Sequence, residues 1–301
     1  MLTAKKASWG ALSGGVSFPY LLTRIPGVHW ILVIVPLGYL LFLMIYSLFG
    51  LFKLSIYDEN GFTFQYFHYI FSHSIYLHVM WLTIKISCFV TIVSLLLAYP
   101  LAKLLVQLKD GIWKKLVFGL ILVPFWISLL VRTFAWTIIL QDQGVINKLL
   151  IGAGIIEKPL SLLYNTPGVV IGMTHILIPY MVVSLYSVME GIDQRLIQAA
   201  AGMGARPWQA FFHVFLPLSL PGILSGSLIV FILSLGYFVT PALLGGPENM
   251  MISMLIENNI VKTLNWHLAA AIAVLLFIVT MLLLAFSYLL VQNHSAVKEM
   301  S

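Results

Sequence analysis

Six stretches of this chain run for about 20 residues or more with almost no charge, a length that matches the hydrocarbon thickness of a bilayer and little else. They extend roughly over 28–52, 77–106, 116–140, 167–189, 218–243 and 266–291. A helix can cross lipid because it satisfies its own backbone hydrogen bonds while rising about 1.5 Å per residue. Composition removes the soluble alternative. Of 301 residues, 61% are hydrophobic and 9% charged, against roughly 25% charged in an ordinary globular chain. So few charges cannot cover a core, and so much apolar surface cannot stay disordered in water. The sequence predicts an all-α polytopic membrane protein with six transmembrane helices over 28–291, an N-terminal segment over 1–27 and a C-terminal tail over 292–301. The first apolar stretch is too long and begins too late for a secretory signal, so it is expected to stay in the protein.

Lys and Arg placement predicts the orientation, because short exported loops are poor in them. Lys5, Lys6, Arg24, Lys103, Lys109, Lys114, Lys115, Arg195, Arg206 and Lys298 fall on one side, and Lys53, Lys148, Lys158 and Lys262 on the other. Both termini are therefore expected in the cytoplasm of a bacterial inner membrane. The net charge of +6 forms no basic stripe, so nucleic acid is not expected as a partner. The single cysteine, Cys88, excludes an intrachain disulfide and a cysteine-cluster metal site, and is expected to be buried.

Several chemistries lack their residues. There is no G-x-x-x-x-G-K-[ST] phosphate loop, no H-E-x-x-H and no G-x-S-x-G. His68, His73 and His78 are five apart, which rotates them around a helix rather than converging them on a metal. No acidic residue falls in the middle of an expected span, where a proton-driven carrier would use one. Pro100, Pro124, Pro179 and Pro241 are expected to bend or end helices. The stretch Gly236-Tyr237-Phe238-Val239-Thr240-Pro241 reads as a helix that unwinds toward the outer face.

The loop over about 191–215 is too apolar for a passive connector. Asp193 can cap a helix in which Leu196, Ile197 and Ala200 recur at helical spacing, and Gly204 can end it. Pro207 suits the first turn of a second short helix. Two short helices around a glycine make a knob whose small residues allow close approach of a partner's groove. An interfacial helix on lipid headgroups is the competing reading.

Gln198-Ala199-Ala200, with Gly204 six positions after Gln198 and Pro217 thirteen after that glycine, resembles the E-A-A-x-x-x-G loop of binding-protein-dependent ABC importer permeases of type I. Gln198 stands where that family commonly has Glu. The wider chain is similar to the permease group that includes the B-type subunit of spermidine/putrescine importers. The similarity lies in Leu122-Val123-Pro124-Phe125-Trp126, Val131-Arg132-Thr133-Phe134-Ala135-Trp136, Gly144-Val145-Ile146-Asn147 and Pro241-Ala242-Leu243-Leu244-Gly245-Gly246. The resemblance implies a transport subunit, not an enzyme, that moves a small polar solute by alternating access. A polyamine or an amine- or amino-acid-like compound is the expected cargo. It also implies a second permease subunit, two ATPase subunits that bind ATP and Mg, and an external solute-binding protein. Asp193, Arg195, Gln198, Ala199, Ala200, Gly204, Arg206 and Pro217 are the expected ATPase-coupling residues; this chain itself would hold no cofactor.

For the solute pathway the sequence offers Arg132, a cation within a span. Ser128 and Trp136 lie one turn to either side of it. An Arg between aromatic rings suits a carboxylate or a hydroxylated solute and repels a polyamine unless an acid neutralises it; pairing with Asp142 is the structural alternative. Tyr180, Tyr237, Thr240 and Glu257 complete the candidates, as aromatic faces and an exported carboxylate that suit a cation. The rival function is an ion-gradient-driven secondary transporter or channel, for which the loop would be only a connector.

Overall fold

The structure is a computed structural model that describes residues 28–59 and 61–293. The chain divides into two units, residues 1–53 and 54–301. α1 (Val28–Ile56) is apolar along its length, with Pro36 inside it and Lys53 in its last turn. A two-residue hairpin of β1 (Tyr57–Asp58) and β2 (Gly61–Phe62) follows. Tyr57 faces Phe62 and Asp58 faces Gly61, whose φ of +110° favours glycine.

The second unit is built on three long helices, α3 (Ser74–Gln107), α7 (Thr166–Glu190) and α10 (Leu216–Leu235), all packed against one another. The inward stripe of α3 is small and regularly spaced: Thr83, Ser87, Thr91, Ser94, Ala98 and Ala102. Small side chains let helix backbones approach closely where lipid supplies no hydrophobic drive for association. Met173, Leu177, Met181, Val182 and Leu185 of α7 fill the centre of the core. Gly222 and Gly226 of α10 meet α7 directly. A Cβ on Gly226 would lie 2.8 Å from Met181 Sδ and 3.2 Å from Ser184 Cβ. A second core joins α2 (Gln65–Ser72), the start of α3, α12 (Ile252–Val261) and α13 (Trp266–Asn293) through Ile70, Val79, Met80, Ile252, Leu268 and Ile272. Thr83 ties α3 to α12 within this second core. Its Oγ1 donates to Val79 O at 2.8 Å and accepts the Ile252 N–H at 2.9 Å, satisfying an amide that the first turn of α12 leaves over.

Among the described residues, five helices are long and apolar enough to cross a membrane, and the sixth crossing is a broken pair. The single helix expected over 116–140 is corrected here. α4 (Ile112–Leu122), a 3₁₀ turn at Val123–Trp126, α5 (Leu129–Leu140) and α6 (Val145–Gly152) make up the pair, which bends by 100°. Pro124 offers no N–H, and Ile127 and Ser128 are extended with ψ of 133° and 136°, so the hydrogen-bond ladder stops there. The fifth span also differs from expectation. It is continuous from Pro207 to Leu235, and the residues beyond Gly236 form a separate short helix, α11 (Val239–Leu244). α12 was not expected, because its 10 residues are too few to register as a crossing.

Two sequence motifs prove to be packing devices. Asn147 is buried and pins the loop after α6: its Nδ2 donates to Leu160 O at 2.9 Å and its Oδ1 accepts from Leu160 N at 2.8 Å. Asn249 Nδ2 donates to Thr166 Oγ1 at 2.6 Å beside Gly245 and Gly246, and a Cβ on Gly246 would collide with Tyr164 O. Cys88 is exposed rather than buried, since it falls off the inward stripe of α3.

Candidate functional site

Two constellations stand out, a peg between α7 and α10 and a polar cluster around Arg132. The peg begins where Glu190 ends α7. Asp193 takes an extended ψ of 115° and its Oδ1 accepts the Arg195 N–H at 2.9 Å, capping α8 (Gln194–Gly202). The other end closes in a Schellman motif: Ala205 N–H reaches Ala200 O and Gly204 N–H reaches Ala201 O, both at 3.0 Å. Gly204 sits at φ +85°, the left-handed position that this motif requires. α9 (Pro207–Ala210) starts at the proline, and Gln209 Oε1 accepts the Arg206 N–H at 2.8 Å. A π-helical turn, Phe211–Phe215, then feeds into α10. Pro217 bears on it: it has no N–H to give to His213 O, which an α-helix would require there.

Ala200 is buried against the body, while Arg195, Gln198, Ala199, Gly204 and Arg206 are exposed. Exposed apolar side chains accompany them: Leu196, Met203 and Trp208. Pro217 is exposed but stands beyond the π turn, in the first turn of α10. The base of the peg is anchored by residues that the sequence did not single out for this purpose. Lys103 Nζ lies 4.2 Å from the centre of the Phe211 ring, and Tyr99 OH and Ser219 Oγ are 3.0 Å apart. Lys114 Nζ bridges Asp110 Oδ1 at 2.9 Å and Glu190 Oε1 at 3.2 Å, and Tyr186 OH also donates to Glu190 Oε1.

The second constellation gathers on α5, α7, the loop after α10 and α11, which packs on both α5 and α7. Trp136 Nε1–H donates to His175 Nδ1 at 3.1 Å, with the rings edge to face. An indole nitrogen can only donate, so the imidazole hydrogen resides on Nε2 and that N–H is free to donate elsewhere. Arg132 is close enough to act electrostatically on both His175 and Tyr237, and Tyr180 on Tyr237. Tyr180 also meets Phe125 edge to face. Thr240 is buried above Gly172, where a Cβ would lie 2.8 Å from Thr240 Cγ2 and collide with Leu244 Cδ1. Arg132 Nε and Nη1, Thr174 Oγ1 and Thr240 Oγ1 are enclosed, yet have no hydrogen-bond partner among the described residues.

Arg132, Trp136 and Tyr237 are thus brought together, with Tyr180 adjoining Tyr237. Ser128 is not: it is the exposed N-cap residue of α5 and makes no side-chain cap. Glu257 stands half-buried on α12, joined to Arg132 by no ion pair, and Asp142 forms none with it either. His175 was not among the residues that the sequence singled out. Its signal was its place in the middle of the fourth apolar stretch, where an ionisable group needs a reason. Among the described residues, no three His, Cys, Asp or Glu side chains are grouped to hold a metal.

Comparison with known proteins places the chain in one family. The family model for the binding-protein-dependent transport system inner membrane component matches residues 30–296. The spermidine/putrescine transport system permease protein PotB of Haemophilus influenzae is 34% identical over 214 residues, 71% of this chain and 74% of that protein. PotB of Escherichia coli K12 is 34% identical over 70% of this chain and 76% of its own length. The molybdenum transport system permease protein ModB of Mycobacterium bovis is 31% identical over 67% of this chain and 74% of its own. Among solved structures, a bacterial ABC transporter involved in import of the acidic polysaccharide alginate shares the fold. Its TM-score is 0.67 at 18% identity, covering 88% of this chain and 96% of that one. The chain belongs to the family of binding-protein-dependent transport system inner membrane components.

Proposed function

We propose that this chain is one permease subunit of an ATP-driven importer for a small polar solute of the polyamine or amino-acid-like class. Spermidine and putrescine are the cargo named for the PotB relatives. The observation that carries the reading is the capped, two-helix peg, whose second helix is continuous with a membrane span through one π turn. A load placed on such a peg passes into α10 without crossing a flexible linker. Asp193 and Gly204 hold its shape. Arg195, Gln198, Ala199 and Arg206 form, with Met203 and Trp208, a surface suited to the groove of an ATPase subunit. Pro217 acts through the π turn rather than by contact.

In this reading both termini and the peg are cytoplasmic. A second, similar permease completes the pathway, two ATPase subunits bind ATP and Mg below it, and a solute-binding protein delivers cargo from outside. ATP-driven closure of the ATPase pair shifts the permeases between inward- and outward-open states. Arg132, Trp136, Tyr180, Tyr237 and Thr240 line the route. The test is uptake into proteoliposomes holding this chain with its permease partner, ATPase subunits and binding protein. Uptake should require ATP and all four components. Uptake that follows an imposed ion gradient with the ATPase left out would instead establish the secondary-transporter reading.

A further inference from the structure

The polar side chains gathered with Arg132 are donors or can act as donors. The guanidinium offers Nε–H and Nη1 hydrogens, His175 offers Nε2–H because Trp136 occupies its Nδ1, and the Tyr237 hydroxyl can turn to donate. No carboxylate is paired with Arg132 among the described residues. A cation left without an anion in a low-dielectric setting is strongly unfavourable unless water, a backbone carbonyl or an anion reaches it, and an anion is the strongest of these partners. The backbone around it is irregular as well. α5 begins at the 100° break, and the chain between α10 and α11 is non-helical at Tyr237. Such backbone at membrane depth is tolerated where it is covered by protein or lines a cavity. Family membership leaves the sign of the cargo open, since the relatives are named for spermidine and putrescine in one case and molybdenum in another.

We propose that Arg132, His175 and Tyr237 form an anion-accepting subsite that receives a carboxylate of the transported solute, so that the importer favours carboxylated amines over plain polyamines. The inference rests on the importer reading above and names the cargo class of the same pathway. A guanidinium meets a carboxylate with two parallel N–H donors, and the aromatic rings around it exclude water from the pair. No carboxylate is paired at the cluster to offset a diamine, whose charges Arg132 repels; the Trp136, Tyr180 and Tyr237 ring faces alone would attract one.

Pairs of ligands that differ by one carboxylate isolate this chemistry: putrescine and ornithine, cadaverine and lysine, agmatine and arginine. Saturation-transfer NMR on the detergent-purified permease–ATPase complex, without the binding protein, reports their direct binding. At least one carboxylated member should bind more tightly than its decarboxylated twin. Arg132→Gln should weaken that binding roughly ten- to a hundredfold, the loss expected for a charge-assisted hydrogen bond. Arg132→Lys keeps the charge without the fork and should fall between the two. Copurification of all subunits, with an unchanged melting temperature, controls for folding.

Tighter binding of the diamines overturns the proposal, as does carboxylate binding that ignores both substitutions, or no binding by any of the three acids. Displacement of the acids by phosphatidylglycerol would assign the subsite to a lipid headgroup, and failure of Arg132→Gln to assemble with its permease partner would assign it to an acid of that partner; either result also overturns it. ATP-dependent uptake by the wild-type complex is scored separately, so the importer reading can survive the loss of this one.

Discussion

Replacing Gly204 by alanine isolates the backbone chemistry of the peg. A Cβ at this position would meet no atom within 4 Å, so the substitution introduces no clash, only a side chain at φ +85°. That conformation costs an L-residue roughly 1–2 kcal/mol, which shifts the balance between the closed and frayed Schellman motif by about 5- to 30-fold. The amide hydrogens of Gly204 and Ala205 are bonded to Ala201 O and Ala200 O, and they are the probes. In Gly204→Ala, hydrogen exchange at positions 204 and 205 should accelerate by about that factor, while amides in the middle of α7 are unchanged. Uptake per ATP hydrolysed in the reconstituted transporter should fall with it. Asn is the residue that most readily replaces glycine in this conformation, so Gly204→Asn should be milder on both measures. The order Gly, Asn, Ala is the signature. If Gly204→Ala exchanges and transports like wild type, or if Asn is worse than Ala, the peg does not work through this cap.

Three further substitutions probe neighbouring supports. Asp193→Ala removes the Oδ1 that accepts Arg195 N–H and should cost α8 about 1 kcal/mol, with Asp193→Asn close to neutral, read by exchange at Arg195 and Leu196. Lys103→Met deletes the cation over the Phe211 ring at 4.2 Å. A double-mutant cycle with Phe211→Leu should return a coupling of about 0.5–1 kcal/mol in the thermal unfolding of the purified complex. Asn147→Ala removes a buried side chain and leaves the N–H and C=O of Leu160 without the partners they have now. It should destabilise the complex by about 1–3 kcal/mol and speed proteolysis between α6 and α7.

The peg was readable in the sequence because its determinants are local. Asp at an N-cap, glycine at a left-handed C′ position and proline at the first helical residue act on backbone within a few positions of themselves, so Asp193, Gly204 and Pro207 announce the structure unaided. The span count was readable for a similar reason, as hydropathy sums over a window. The same summation hid the break in the third crossing, because Ile127 and Ser128 change the chain direction without changing its hydrophobicity; only Pro124 pointed to it. The polar cluster was half legible. Arg132 is conspicuous as a charge in a span, but its neighbour His175 is tied to Trp136 across 39 positions, and nothing short of tertiary packing pairs those rings. Ser128 shows the converse error: helical spacing from Arg132 put it on the same face, but the helix starts there and leaves it exposed as a cap.

How a displaced peg could reach that cluster follows from what holds α10. On the side of α3, the segment is gripped by contacts between long side chains: Lys103 over Phe211, Tyr99 against Ser219, and the Phe211 ring edge to face with Tyr99. On the side of α7, the contact is made by Gly222, Gly226 and the Ser184–Ser225 hydroxyl pair at 2.8 Å. α10 is therefore held on both sides, by aromatic and cationic groups against α3 and by a close glycine face against Met181, Ser184 and Val188 of α7. Neither contact leaves slack, so a displacement of the peg has to be carried by the helix itself. Because α11 follows α10 after only Gly236, Tyr237 and Phe238, such a displacement has three residues in which to be absorbed before it reaches α11, and Tyr237, beside Arg132, is one of them.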